Sequence, residues 1–294
     1  MNRRHFSLVL PVAIGLSLAT CGLHAQSAGS DGQIILAGPY KVAAPLKWVG
    51  TAYAEKIAAK PLYSEAAWKS FQQDPRYALK PGYATRPEHW AIRFPALILK
   101  GTTFDKKLAG DDETAPQILI HQTDGWASIL DNGVPNAKNA AETRRQLRKH
   151  LTAMETGIPY SISPAFVDGG LSFLSLKKKL IFKGGHGYRI ICQWDYEANL
   201  ARRGGLHYLF VGLSDDDSCQ IIATFPLDGP HLPSEAPDAE HLGYSTKRYK
   251  ELERNFQTYA TAAEKWIQEH EKDFTPSLEE LDHLIESLTA DTWR

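Results

Sequence analysis

Four strand-like runs stand almost end to end between Leu176 and Phe225. They read LKKKLIF, YRIICQWDY, LHYLFVGL and CQIIATF. The first two flank KGGHG and the last two flank SDDDS, both short polar links of the kind that close β-hairpins. A chain with this block must build an antiparallel sheet. The third run, Leu206 to Leu213, is apolar at nearly every position, as for a central strand covered on both faces. Its neighbours are two-sided. From 188 to 196 one face carries Tyr188, Ile190, Cys192, Trp194 and Tyr196. The other carries Arg189, Ile191, Gln193 and Asp195, because side chains alternate along a strand.

Further elements are legible on either side. AIRFPALILK and PQILIH read as two more strands, with Pro95 placing the first at an edge or a bulge. The stretch 137–155 reads as a helix, with Leu147, Leu151 and Met154 on one face. In 245–272 the residues Tyr249, Leu252, Phe256, Tyr259, Ala263, Trp266 and His270 step by three and four, which predicts one long amphipathic helix. A last helix over 276–288 begins at Thr275-Pro276 or at a Ser277/Glu280 capping box. Its inner face is Leu278, Leu281, Ile285 and Leu288. Residues 26–88 read as an N-terminal arm. In it IILAG suggests a strand, and YAEKIAAK and SEAAWKSFQQ suggest short helices broken by Pro and Gly.

The predicted class is therefore α+β: an antiparallel sheet of about five or more strands, covered by the long C-terminal helix and the shorter ones. The domain spans 89–294, after the arm and a leader.

The leader is residues 1–25. Arg3 and Arg4 precede an apolar run, Leu8 to Ala19, too short to span a bilayer, and Ala25 suits cleavage. LATC offers a rival reading, lipidation at Cys21, and NRRHFSL resembles a twin-arginine signal. All three imply export, to the periplasm of a Gram-negative bacterium, with a lipid anchor in the second reading. No transmembrane segment is expected in the mature chain. The chain carries 33 basic and 34 acidic residues. That balance gives no support for a nucleic-acid partner.

At LHYLFVGLSDDDSCQIIATFPLDGPHLP the chain resembles a family of exported bacterial proteins, many of them lipoproteins. Tyr208, Phe210, Gly212, Leu213, Asp216, Ala223, Phe225, Pro226, Pro230, Leu232 and Pro233 match its pattern Y-x-F-x-G-L-T-x-D-G…F-P-x-x-x-P-x-L-P. Ser214 and Asp217 depart from it. FKGGHGYRIICQW is similar to F-x-N-G-x-G-x-R-x-x-T-Q-Y at Phe182, Gly185, Gly187, Arg189 and Gln193. FTPSLEELDHLIESL is similar to the family's F-T-P-x-L-x-x-L-D segment. The resemblance covers about 90–294. It implies export and architecture and supplies no catalytic residue.

The candidate site is the polar strand face Arg189, Gln193 and Asp195, joined by His207. If 188–196 pairs antiparallel with 206–213, the connecting length suggests a register with Asp195 beside His207, where a carboxylate would orient an imidazole. A structural cross-strand pair is the commoner outcome. Arg189 has a fork suited to an anion, or to a buried acid. His186 reads as a hairpin-loop residue between glycines. Asp215, Asp216 and Asp217 read as a solvated turn, since the EF-hand spacing is missing. His231, Glu240, His241 and His270-Glu271 match no zinc pattern. No metal or cofactor is expected. Cys192 and Cys219 lie on strands two apart, about 9.5–10 Å, beyond the ~7 Å reach of a disulfide, so both are expected as buried free thiols.

These residues suggest a non-enzymatic envelope protein that binds a small ligand or another envelope protein. The alternatives are a periplasmic inhibitor or immunity-type protein directed against a toxin or hydrolase, and a hydrolase using Asp195 and His207.

Overall fold

The computed structural model describes residues 27–28, 32–59, 86–100, 114–130, 140–157, 170–234, 236 and 238–290. The expected leader with Cys21, and the SEAAWKSFQQ helix, lie outside the described residues.

A seven-stranded antiparallel sheet forms the middle layer. Its strands are β4 (Tyr53–Ile57), β5 (His89–Arg93), β6 (Gln117–Gln122), β7 (Gly170–Phe182), β8 (Gly185–Asp195), β9 (His207–Ser214) and β10 (Cys219–Pro226). They run in the order β4-β5-β6-β10-β9-β8-β7. The expected four-strand meander is thus present, with β9 in the interior, where all eight of its residues are buried. A smaller sheet joins β1 (Ser27–Ala28), β2 (Gly32–Ala37), β3 (Tyr40–Pro45) and β13 (Thr289–Ala290).

Helices close both faces of the large sheet. On one side lie α2 (Thr123–Leu130) and α3 (Ala140–Thr156). Leu147, Leu151 and Met154 of α3 pack with Tyr188, Ile190, Leu209 and Val211. On the other side lie the β2–β3 hairpin, α4 (Tyr249–Arg254), α5 (Phe256–Glu269) and α6 (Leu278–Glu286). Ile35, Val42, Tyr259, Ile267, Leu281 and Ile285 meet Phe173, Ile191, Phe210 and Phe225 there. Phe225 is fully buried; truncating such a side chain costs about 3–5 kcal/mol. A four-residue helix, α1 (Leu46–Val49), follows β3 and buries Trp48. A two-stranded ribbon, β11 (Glu240–His241) with β12 (Tyr244–Ser245), precedes α4.

Several expectations are corrected. The long C-terminal helix is two shorter ones, preceded by a 3-10 turn over Thr246–Arg248. The break is at Asn255, which leaves helical geometry at φ −107° and ψ 16°. Its side chain donates to the Glu251 carbonyl at 3.0 Å, the local competition that makes Asn a poor helix interior. The apolar stripe survives the break, with Leu252, Tyr259, Ala263 and Trp266 all buried.

YAEKI is not a helix. It is β4, paired with β5 at the edge of the large sheet. The hairpin before it is part of the main core. The strand from Trp90 stops at Arg93, and Pro95 opens a 3-10 turn instead of interrupting an edge; β5 has partners on both sides.

The KGGHG link is also shorter than expected. Phe182 pairs with Gly185, leaving a two-residue turn with Gly184 at φ 88°. His186 is therefore a strand residue opposite Ile181, not a loop tip. Gly187 is there for close approach: a Cβ on it would lie 2.3 Å from the Val211 carbonyl oxygen. The last helix begins as one of its two readings predicts. Ser277 is the N-cap: its hydroxyl accepts from the Glu280 amide at 3.3 Å and donates to the Glu280 carboxylate at 3.1 Å.

Candidate functional site

Arg189 and Gln193 share the sheet face that meets α5 and α6, and the structure assigns them to different networks. Arg189 is buried and sits beneath α6, where Asp282 is equally buried. The guanidinium Nε lies 3.6 Å from Asp282 Oδ1, and Nη2 lies 3.4 Å from Glu271. Tyr208 donates to Asp282 Oδ1 at 2.9 Å, and Lys178 donates to Oδ2 at 2.8 Å. Burial first, and then the Asp282 carboxylate, push the Tyr208 phenol well above its ordinary range. One buried carboxylate thus gathers a tyrosine, a lysine and an arginine from three strands. This is the buried-acid alternative for Arg189, and it ties α6 to the sheet.

Gln193 is fully buried. Its amide nitrogen donates to Asp195 at 2.7 Å and to the Leu200 carbonyl at 2.9 Å, while its oxygen accepts from the Arg202 amide at 3.3 Å. Asp195 also accepts from Ser172, Asn199 and the Arg202 guanidinium, at 3.1, 3.1 and 2.9 Å. Together these bonds hold down the connection from β8 to β9. Gln193 and Asp195, expected only to share a strand face, are hydrogen-bonded to each other.

His207 is not beside Asp195. The register sets it opposite Cys192, three residues before Asp195. An odd offset puts two residues on opposite faces. His207 lies on the α3 side, its ring 5.4 Å from Trp194 and its Nδ1 2.8 Å from the Gly205 carbonyl. The pair on which the hydrolase reading rests is therefore not assembled.

Cys192 and Cys219 are buried free thiols. They face opposite sides of the sheet, in separate cores. Burial raises both thiols above their ordinary range. The SDDDS turn is closed on itself: Asp216 accepts from Ser214 at 2.7 Å and from the Ser218 amide at 3.0 Å. Asp217 pairs with Arg148 of α3. Among the described residues, no three His, Cys, Asp or Glu side chains are grouped to hold a metal ion. No helix among them is long and apolar enough to cross a membrane.

Several polar residues were not singled out from the sequence. His89 and His121 face each other across β5 and β6 with ring centroids 4.5 Å apart, and Trp126 stands 5.1 Å from His121. Burial, followed by His89 and Arg86, holds the His121 imidazole well below its usual range. The signal was in the alternation, since each histidine takes an inward position of its strand. His241, left unassigned by motif, is buried with Nδ1 2.8 Å from the Tyr259 hydroxyl. That hydroxyl accepts from the Ala201 amide at 2.7 Å, which leaves its proton to be donated to His241 Nδ1.

Charge is divided between the two helical layers. α3 and the β7 positions that face it carry Arg144, Arg145, Arg148, Lys149, Lys177 and Lys179 against Glu142 and Glu155, with Asp124 and Asp217 brought onto the same face beside Arg144 and Arg148. On the opposite layer, the stretch from Tyr249 to Glu286 holds ten acidic and four basic residues. The α3 layer thus keeps a small basic excess, and the opposite layer an acidic one.

These features define a three-layer α+β protein whose candidate polar residues act as interior ties. No protein-family model, no curated protein and no solved structure matches the chain.

Proposed function

We propose that the chain is a non-enzymatic binding domain of the cell envelope, and that its partner is a protein. The supporting observation is where the candidate residues bond. Arg189, Gln193 and Asp195 each link the sheet to a neighbouring element. Helices shut both faces of the sheet, so recognition falls to the outer layers. Their opposite charge suits them to electrostatic selection of a partner. Inhibition of a toxin or hydrolase is a special case of this reading, with the target enzyme as the partner.

The test is affinity purification of the mature chain from its own envelope, with mass spectrometry for proteins and small molecules together. The reading expects one protein at fixed stoichiometry. A tightly held small molecule without any protein would overturn it. So would a hydrolytic activity abolished by His207→Ala in a variant that keeps the parent melting temperature.

A further inference from the structure

We infer that the α3 face is the docking surface and that its partner is an acidic protein surface with an aliphatic recess for Ile181. This rests on the protein-binding reading above and names the surface and chemistry it would use.

The edge strand supplies the first observation. Lys177, Lys179 and Ile181 alternate onto the face covered by α3, and Ile181 is 68 % exposed. An aliphatic side chain thus stands largely uncovered on the edge strand. Around it are Lys179, Lys183 in the hairpin turn and His186, its cross-strand neighbour. Lys149 and Lys183 are exposed and form no ion pair among the described residues.

The second observation is how the arginines are held. Arg144 is clamped by Asp124 through Nε and Nη2, at 2.8 and 2.5 Å. Arg145 is clamped the same way by Glu142, at 2.8 and 2.7 Å. Arg148 is tied to Asp217. Their forks are directed within the protein, while the face keeps its positive excess. A polyphosphate needs free forks to engage its oxygens. An ordered charge lattice around an uncovered aliphatic side chain has the make-up of a protein interface, with an apolar centre and a polar rim. The excess of Lys and Arg selects carboxylates on the other side and speeds encounter.

The edge of β7 does not offer the competing mode, in which a peptide adds a strand. Glu264 of α5 accepts from the Leu174 amide at 3.2 Å, occupying part of that edge, and the Lys run discourages pairing along the remainder.

The experiment places a photo-crosslinking amino acid at position 181 of the full chain in its native cell, and at position 196 as a distant control. The expected result is one protein captured from 181 and not from 196, through a peptide of net negative charge. Capture should fall about tenfold in Lys149→Glu/Lys183→Glu, and binding of the purified partner should weaken about tenfold between 50 and 300 mM salt, as for a charge-steered interface. Neither lysine forms an ion pair among the described residues, so the variant should keep the parent melting temperature. A protein captured only from 196 would overturn this surface and leave the binding reading standing. Capture of lipid or nucleic acid from 181 would overturn the occupant. No protein from either position, with none in the affinity purification, would remove both.

Discussion

Lys177 and Lys178, neighbours on the edge strand, tie opposite layers of the molecule to the same sheet. Lys177 donates to the Met154 carbonyl at 2.8 Å and to those of Gly157 and Glu155 at 3.1 and 3.3 Å, capping the C-terminus of α3. Lys178 donates to Asp282 of α6 at 2.8 Å. Alternation sends the two to opposite faces, and a bulge at Leu176, with φ 50°, sets which lysine takes which side. Between the pairs Ser175–Ile191 and Lys178–Arg189, the two residues Leu176 and Lys177 oppose the single Ile190, so the face of every residue beyond the bulge is reset.

Lys177→Ala should therefore loosen α3 and leave α6 in place. The last carbonyls of the helix would lose a cation that also favours the dipole, worth about 0.3–1 kcal/mol where solvent screens it. Urea unfolding should show a loss of that size, and hydrogen exchange should quicken over 150–157 before the rest of the chain. Lys177→Arg should recover part of both. Unchanged exchange in α3 with Lys177→Ala would show that the cap contributes nothing.

Asp282→Ala should be far more costly, because it leaves Arg189 and Lys178 without their shared carboxylate. Removing one partner from a buried pair costs about 3–5 kcal/mol. Arg189→Ala should cost a similar amount. The double variant should lose clearly less than the sum of the two, since the residues act on each other. Additive losses in a denaturant double-mutant cycle would show that the two groups are not coupled.

Stability should decline in acid partly through His241. Burial, followed by the charge of His270, lowers its imidazole to about 4 from 6.5. A base whose folded value is depressed is held neutral in the native state, while the unfolded chain takes up a proton first. Stability therefore falls as pH drops from about 6.5 to about 4. The buried imidazole of His121 contributes in the same direction. His241→Gln should lower stability at pH 7, through loss of the Tyr259 contact, but should flatten the decline below pH 6.5. A melting-temperature profile parallel to that of the parent would refute this assignment.

Much of the architecture is legible in the sequence. The β block, the helix around Leu147 and Leu151, the N-cap at Ser277 and the free thiols of Cys192 and Cys219 follow from local pattern and strand spacing. The shared face of Arg189, Gln193 and Asp195 follows from alternation alone. The placement of His207 did not follow. It depends on how far β8 runs past the start of β9, which connection length leaves open by a residue or two, and one residue reverses a face. YAEKI carries helix-forming residues but lies beside an open sheet edge, and pairing with β5 outweighs its propensity.

The sequence by itself determined which residues are inward and outward within each strand and helix, because that depends on periodicity a few residues long. Tertiary structure alone decided which faces meet. The Leu176 bulge, the break at Asn255 and the β8–β9 register send basic helix and edge-strand residues to one layer and acidic helices to the other. No local pattern encodes that separation. It arises because packing a two-faced sheet forces each helix to choose a side, and the apolar stripe that makes the choice carries its charged opposite face with it.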